Sequence, residues 1–179
     1  KVQVDSGNIT TTSNLTFAPE VSLQGSTLTK TGTAALILNG SATFSGASAV
    51  NVGSLVVNGT FTTTSISIGT SSSLSGTGAI VGNATITGSG VINFGIGGSV
   101  SGTLTATGGN WNGAGTVSGL VSVESGTFTL GSNAVLNVNG GLSVTGTGLL
   151  AAADASATIR LNSTALTYST PATSTYIGS

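Results

Sequence analysis

"LTKTGTAALILNG", residues 28–40, sets a pattern that the rest of the chain repeats. It holds one charge, a Thr-Lys-Thr-Gly turn, an unbroken apolar run from Ala34 to Leu38, and then Asn-Gly. Similar phrases return up to the C-terminus, each a short apolar segment set between glycines and hydroxyls. Within them the apolar residues alternate with polar ones, the period of a half-buried strand. In "GTFTLG" (126–131), Phe128 and Leu130 take one side and Thr127 and Thr129 the other. Leu104 with Ala106, Ala84 with Ile86, Val50 with Val52 and Leu142 with Val144 follow the same rule. The expected strands are about four to six residues long, short against the usual mode. Gly or Asn-Gly interrupts the windows a helix would need, and Thr, Ser and Val fill much of the remainder. Only "LLAAADASA" (149–157) has the composition for a helical turn or two.

Two architectures use strands of this kind. Asn-Gly at 39–40, 58–59, 112–113 and 139–140 is a hairpin signal that favours antiparallel meanders. A parallel solenoid also needs a tight corner after each strand, where Gly or Asn takes left-handed conformations. Hairpins would leave long edges, which proteins guard with Lys, Pro or inward charges. This chain has two Pro and three cations in all. A solenoid needs fewer guards, because every strand pairs with the coil above and below. The expected fold is therefore all-β: a single-stranded parallel β-helix of about eight or nine coils at roughly 20 residues each. At about 4.8 Å per coil the rod is on the order of 40 Å long. Aliphatic ladders form its core, with Phe17, Phe44, Phe61, Phe94 and Phe128 as larger fillers. One domain is expected, with coils over 1–156 and a strand segment over 157–179 that acts as a cap or an inter-subunit contact.

Composition narrows the function. Of 179 residues only 4% are charged, against about 25% in a typical soluble domain. No charge occurs between Lys30 and Glu124, so hydroxyls, amides and backbone must cover that surface. A net charge of −1 gives no steering toward nucleic acid. The absence of Cys removes disulfides and thiolate sites. No apolar run approaches the ~18 residues of a membrane helix. The chain opens at Lys1 without Met or a signal peptide, which reads as a processed or excised sequence.

The stretch "STLTKTGTAALILNGSATFSGASAVNVGSLVVNG" (26–59) resembles the passenger-associated transport repeat of bacterial autotransporter proteins. Leu28, Lys30, Gly32, Leu36, Leu38, Gly40, Phe44, Gly46, Val50, Val52, Gly53 and Leu55 carry the likeness. "SSSLSGTGAIVGNATITGSGVINFG" (71–95) looks like the degenerate coils that follow such a repeat. The resemblance covers about a fifth of the chain. It implies a right-handed parallel β-helix displayed outside the cell, and it implies no particular activity, since the repeat is a scaffold.

Candidates for chemistry are few. The acids are Asp5, Glu20, Glu124 and Asp154, the bases Lys1, Lys30 and Arg160, and there is no His. Polysaccharide-cleaving β-helices cluster acids with basic residues on one face. Here each charge is expected to stand alone in solvent, with Glu124 pointing outward. No catalytic residue, cofactor or metal site is expected; a lone Asp154 does not make a calcium site. "GTGAIVG" (76–82) and "GIGG" (95–98) lack the helix or lysine of a phosphate loop, so they read as corners. Thr-x-Thr pairs beginning at Thr27, Thr60, Thr85, Thr103 and Thr127 resemble the ice-binding array of β-helical antifreeze proteins. Their sequence spacing is too irregular for one column. Asn8, Asn14, Asn39, Asn58, Asn83 and Asn162 head Asn-x-Ser/Thr triplets. Trp111 is expected to cover a corner of the core, with a carbohydrate-stacking role as the alternative.

The expected function is structural: a non-enzymatic, extracellular or cell-surface β-solenoid that self-assembles through end-to-end or strand-donating contacts into a filament, stalk or coat. An adhesin-like passenger fragment binding surfaces or glycans is the alternative, and an ice-binding solenoid the second alternative.

Overall fold

A computed structural model describes residues 2–4, 7–163 and 165–169. Lys1, Asp5, Tyr176 and the rest of 170–179 lie outside the described residues. Every strand pairing in the described chain is parallel, which excludes the hairpin reading. Each strand stacks on the one a single coil away, so the chain winds as a β-solenoid. Three columns of strands make its faces. Face 1 begins with Val2–Val4 on Leu23–Gly25 and ends with Val135–Val138 on Thr158–Leu161. Face 2 runs from Gly7–Thr10 on Leu28–Thr31 to Leu142–Thr145 on Leu166–Ser169. Face 3 runs from Leu15–Phe17 on Ala35–Leu38 to Thr127–Leu130 on Leu149–Ala152. The winding completes about eight turns. Thr158–Leu161 and Leu166–Ser169 continue faces 1 and 2 within the segment expected as a C-terminal strand region.

Two local expectations are corrected. Strands of four to six residues do not describe the middle of the chain. Thr60–Gly76 is one 17-residue strand and Ala79–Phe94 one of 16, each bending through corners to serve all three faces. The strands run on through their Ser/Thr/Gly-rich corners, where the ladder register shifts, as between Val81 and Asn83 and between Gly88 and Val91. "LLAAADASA" is not helical: Leu149–Ala152 is a strand stacked on Thr127–Leu130, and a turn follows. Propensity for helix lost to a ready-made edge that offered four ladder partners.

The core is a set of inward ladders. On face 2, Ile66, Ala84, Leu104, Val121 and Leu142 form one column, and Val50, Ile68, Ile86, Ala106, Val123 and Val144 the next. Fully burying each larger aliphatic side chain contributes about 1.5–3 kcal/mol. Phe44, Phe61, Phe94 and Phe128 are buried as expected, whereas Phe17, on the first rung, is half-buried. Phe44 packs on Phe61 with centroids 5.6 Å apart, and Phe94 meets Trp111 edge-on at 5.7 Å.

Corners are built differently from the expectation. None of Gly40, Gly59, Gly113 and Gly140 has a positive φ, and among the described residues the single non-glycine one that does is Asn133. The Asn-Gly glycines are needed because coils touch there. A Cβ on Gly59 would sit 2.1 Å from Gly40 O, and one on Gly113 would sit 1.9 Å from Phe94 O. Most of the positive-φ glycines lie where face 2 turns into face 3, as at Gly32 and Gly53, and Gly76, Gly82, Gly97 and Gly141 serve the other corners. The asparagines add a second ladder: Asn58 Nδ2 donates to Asn39 Oδ1 at 2.8 Å, and Asn162 Nδ2 to Asn139 Oδ1 at 2.8 Å.

Candidate functional surface

Lys30 is the largest departure from the expected picture. It was expected in solvent; instead it is completely buried, at the inward position of face 2 beside Val50 of the next coil. Its Nζ donates to Thr31 O at 2.9 Å, Gly32 O at 2.7 Å and Val52 O at 3.0 Å. Three N–H donors thus meet three carbonyls, which uses the whole donor inventory of an ammonium. Burial holds its pKa below the ordinary lysine value. The same corner is served elsewhere by shorter groups. Thr11 Oγ1 donates to Ala34 O at 2.7 Å, and Ser72 Oγ to Val50 O at 2.6 Å. Lys30 therefore gathers the backbone carbonyls at the turn from face 2 to face 3, of which Thr31 O also accepts from Thr11 N at 3.0 Å. The sequence held a signal for this: in "LTKT", Lys30 has the parity of Leu28 and so points with it into the core.

The other described charges are exposed and dispersed. Glu20 follows the first rung of face 3, Glu124 ends a rung of face 2, and Asp154 and Arg160 sit in the last coils. Glu124 points outward as expected and accepts from Ser122 Oγ at 3.3 Å. Asp154 accepts from Ser132 Oγ at 2.5 Å and from Ser156 N at 2.8 Å, and also from Ser156 Oγ. These bonds from Ser132 and Ser156 hold its pKa below the usual carboxylate range. Among the described residues no three of His, Cys, Asp and Glu come together in a way that could hold a metal ion.

Trp111 lies wholly in the core, with Nε1 donating to Gly113 O at 3.0 Å. It offers no open ring face to a sugar. Several candidate glycosylation asparagines are also committed: Asn14 Oδ1 accepts from Ala35 N at 3.0 Å, and Asn83 Oδ1 from Thr103 N at 3.0 Å. Asn8 is exposed.

The Thr pairs sort by face once the coils are in place. Thr60 and Thr62 belong to face 1 and Thr127 and Thr129 to face 3, which explains the irregular spacing of the sequence. On face 2 a real column exists. Thr85 stacks on Thr105 and Thr87 on Thr107; below them the outward position continues through Ser67 and Ala49 to Thr29. Thr10 and Thr31 occupy the companion position, their hydroxyls 2.8 Å apart. Reading from Thr27 and Thr103 missed the pairs Thr29/Thr31 and Thr105/Thr107, because coil lengths are not visible in the sequence. Along the corner toward face 3 runs a shallow open groove whose lining includes Thr33, Ser54, Thr70, Ser71, Ser73 and Ser89. No described helix is long and apolar enough to cross a membrane. Set against known proteins, the chain matches no family model, no curated protein and no solved structure.

Proposed function

We propose that this protein is a non-enzymatic structural β-solenoid of the cell exterior that self-assembles end to end into a filament, stalk or coat. The observation that carries the reading is the condition of the two ends. Among the described residues, Val2–Val4, Gly7–Thr10 and Leu15–Phe17 pair on one side only, as do Thr158–Leu161 and Leu166–Ser169. A row of unpaired strand donors and acceptors is a template for another strand. Apolar residues stand beside those rows: Leu15 is 40% exposed, Leu161 37% and Leu166 60%. The dispersal of Glu20, Glu124, Asp154 and Arg160 supports the non-catalytic part of the reading, and the likeness of residues 26–59 to an autotransporter repeat supports the exterior location.

Electron microscopy of the purified chain tests this. The expected result is filaments that lengthen with concentration, and single rods of roughly 40 Å when Leu15→Lys and Leu166→Lys are combined. Isolated rods at millimolar concentration of the unaltered chain would defeat the proposal.

A further inference from the structure

We infer that face 2 binds a crystalline water surface, that is, ice. This goes beyond the assembly proposed above, since it uses a side of the rod and not its ends. Thr29, Thr31, Thr85, Thr87, Thr105 and Thr107 stand outward on this one face: Thr29, Ala49, Ser67, Thr85 and Thr105 follow one another in ladder register, and beside them Thr31 stacks on Thr10 and Thr87 on Thr107, with Asn51 and Gly69 on the two coils between. Residues two apart on a strand stand about 6.6 Å apart and successive coils about 4.8 Å. The face is thus a two-dimensional grid of hydroxyls and methyls, fixed by backbone hydrogen bonds instead of by flexible side chains. The threonines of the 85/87 and 105/107 pairs are half-buried by their neighbours, which limits their rotamers before any ligand arrives.

The chemistry of the grid selects its partner. Many weak, identical groups act together only on a ligand that repeats with a matching period. No cation stands outward on the face between Thr29 and Thr107, and Glu124 on the next rung is a carboxylate, so a polyanion finds no counter-charge there. A crystalline polysaccharide calls for exposed rings to stack on, and the one Trp is buried in the core. A lattice of water molecules asks only for hydroxyls and methyls at regular spacing. Ser67 and Ala49 in the middle of the column are smaller than Thr and leave it unobstructed.

The test uses the full chain in dilute buffer, measuring thermal hysteresis and partition into slowly grown ice. The unaltered protein is expected to show a freezing-point gap and to enrich in the ice. Thr85→Tyr and Thr105→Tyr should each reduce both readouts to the level of buffer, while Thr62→Tyr on face 1 should leave both unchanged. Circular dichroism melts establish that all three variants stay folded. No hysteresis and no enrichment for the unaltered chain would overturn the inference. Equal loss in the face 1 variant would do the same, as would binding to powdered cellulose or chitin, without hysteresis, that Thr105→Tyr abolishes. If Thr105→Tyr instead turns a sedimenting dimer into a monomer, face 2 is an interface between copies and the inference also fails.

Discussion

Lys30 shows how one side chain can decide a corner. Replacing it by Met keeps the stem but removes the donor to the carbonyls of Thr31, Gly32 and Val52, of which Thr31 O keeps Thr11 N. Each buried acceptor left unpaired costs about 1–3 kcal/mol, while removal of a buried charge returns part of that. The three donor bonds lost outweigh the one charge removed, so Lys30→Met is expected to lower stability by about 2 kcal/mol in denaturant titration. An unchanged or higher midpoint would mean that desolvation of the ammonium dominates. Because burial lowers the folded pKa of Lys30, the unfolded chain holds this proton more tightly. Stability should therefore rise as pH climbs from the lowered folded value to the ordinary lysine value. That rise should vanish in Lys30→Met. Glycines give a second contrast. A Cβ at Gly113 would collide with Phe94 O, whereas at Gly97, with φ +97°, the nearest atom is Thr77 O at 3.6 Å. Gly97→Ala should cost only backbone strain, about 1–2 kcal/mol. Gly113→Ala should cost about 3 kcal/mol or more, since two coils must separate. Thermal melts of the two variants rank them directly.

At the scale of strands and corners, alternation was the legible part of the sequence. Phe128 with Leu130 and Leu104 with Ala106 take the inward positions their parity assigns. Parity also assigns Lys30 inward, yet charge suggested solvent; the local geometry overruled the residue type because three carbonyls waited there. Asn-Gly announced chain reversals in the sequence, but hairpin and solenoid use the same dipeptide for different reasons. In this fold the glycine makes room for the coil beneath and the asparagines at 39, 58 and 139 join amide ladders, so a φ-based reading gives the right place and the wrong cause. The hydroxyl column of face 2 was hidden because it depends on coil length. Gly98 pairs with Gly115, 17 residues on, while Leu142 pairs with Leu166, 24 residues on. Interior strands gain from this stacking on both sides. Amide hydrogen exchange is accordingly expected to be slowest in Thr60–Gly76 and Ala79–Phe94, which have ladder partners above and below. It should be faster by orders of magnitude in Gly7–Thr10 and Leu15–Phe17. Uniform protection would contradict a nearest-neighbour solenoid.

For the molecule as a whole, stability is a sum over adjacent coils and not the property of one centre. The near-absence of charge has a matching consequence for conditions. With a net charge of −1 and charged residues at 4%, little of the folding energy is open to ionic screening. Melting temperature should change little between low and moderate sodium chloride, and a large shift would mean that unseen ion pairs hold the fold. Carboxylate titration offers equally little leverage: the depressed pKa of Asp154 gives stability present above the ordinary carboxylate value and lost as pH falls through the folded one. That group is exposed on a terminal turn.

The unequal circumference of the coils means that the chain keeps count in rungs, not in residues. Adding one residue inside Val135–Val138 would turn every later side chain of that strand inside out. Several added at Ser163, between the last two described rungs, would only enlarge a loop, at about 0.6 kcal/mol per doubling of its length. Peptides grafted at such bends would be held out at fixed intervals along the rod, so the same skeleton can change what it presents without relearning how to fold.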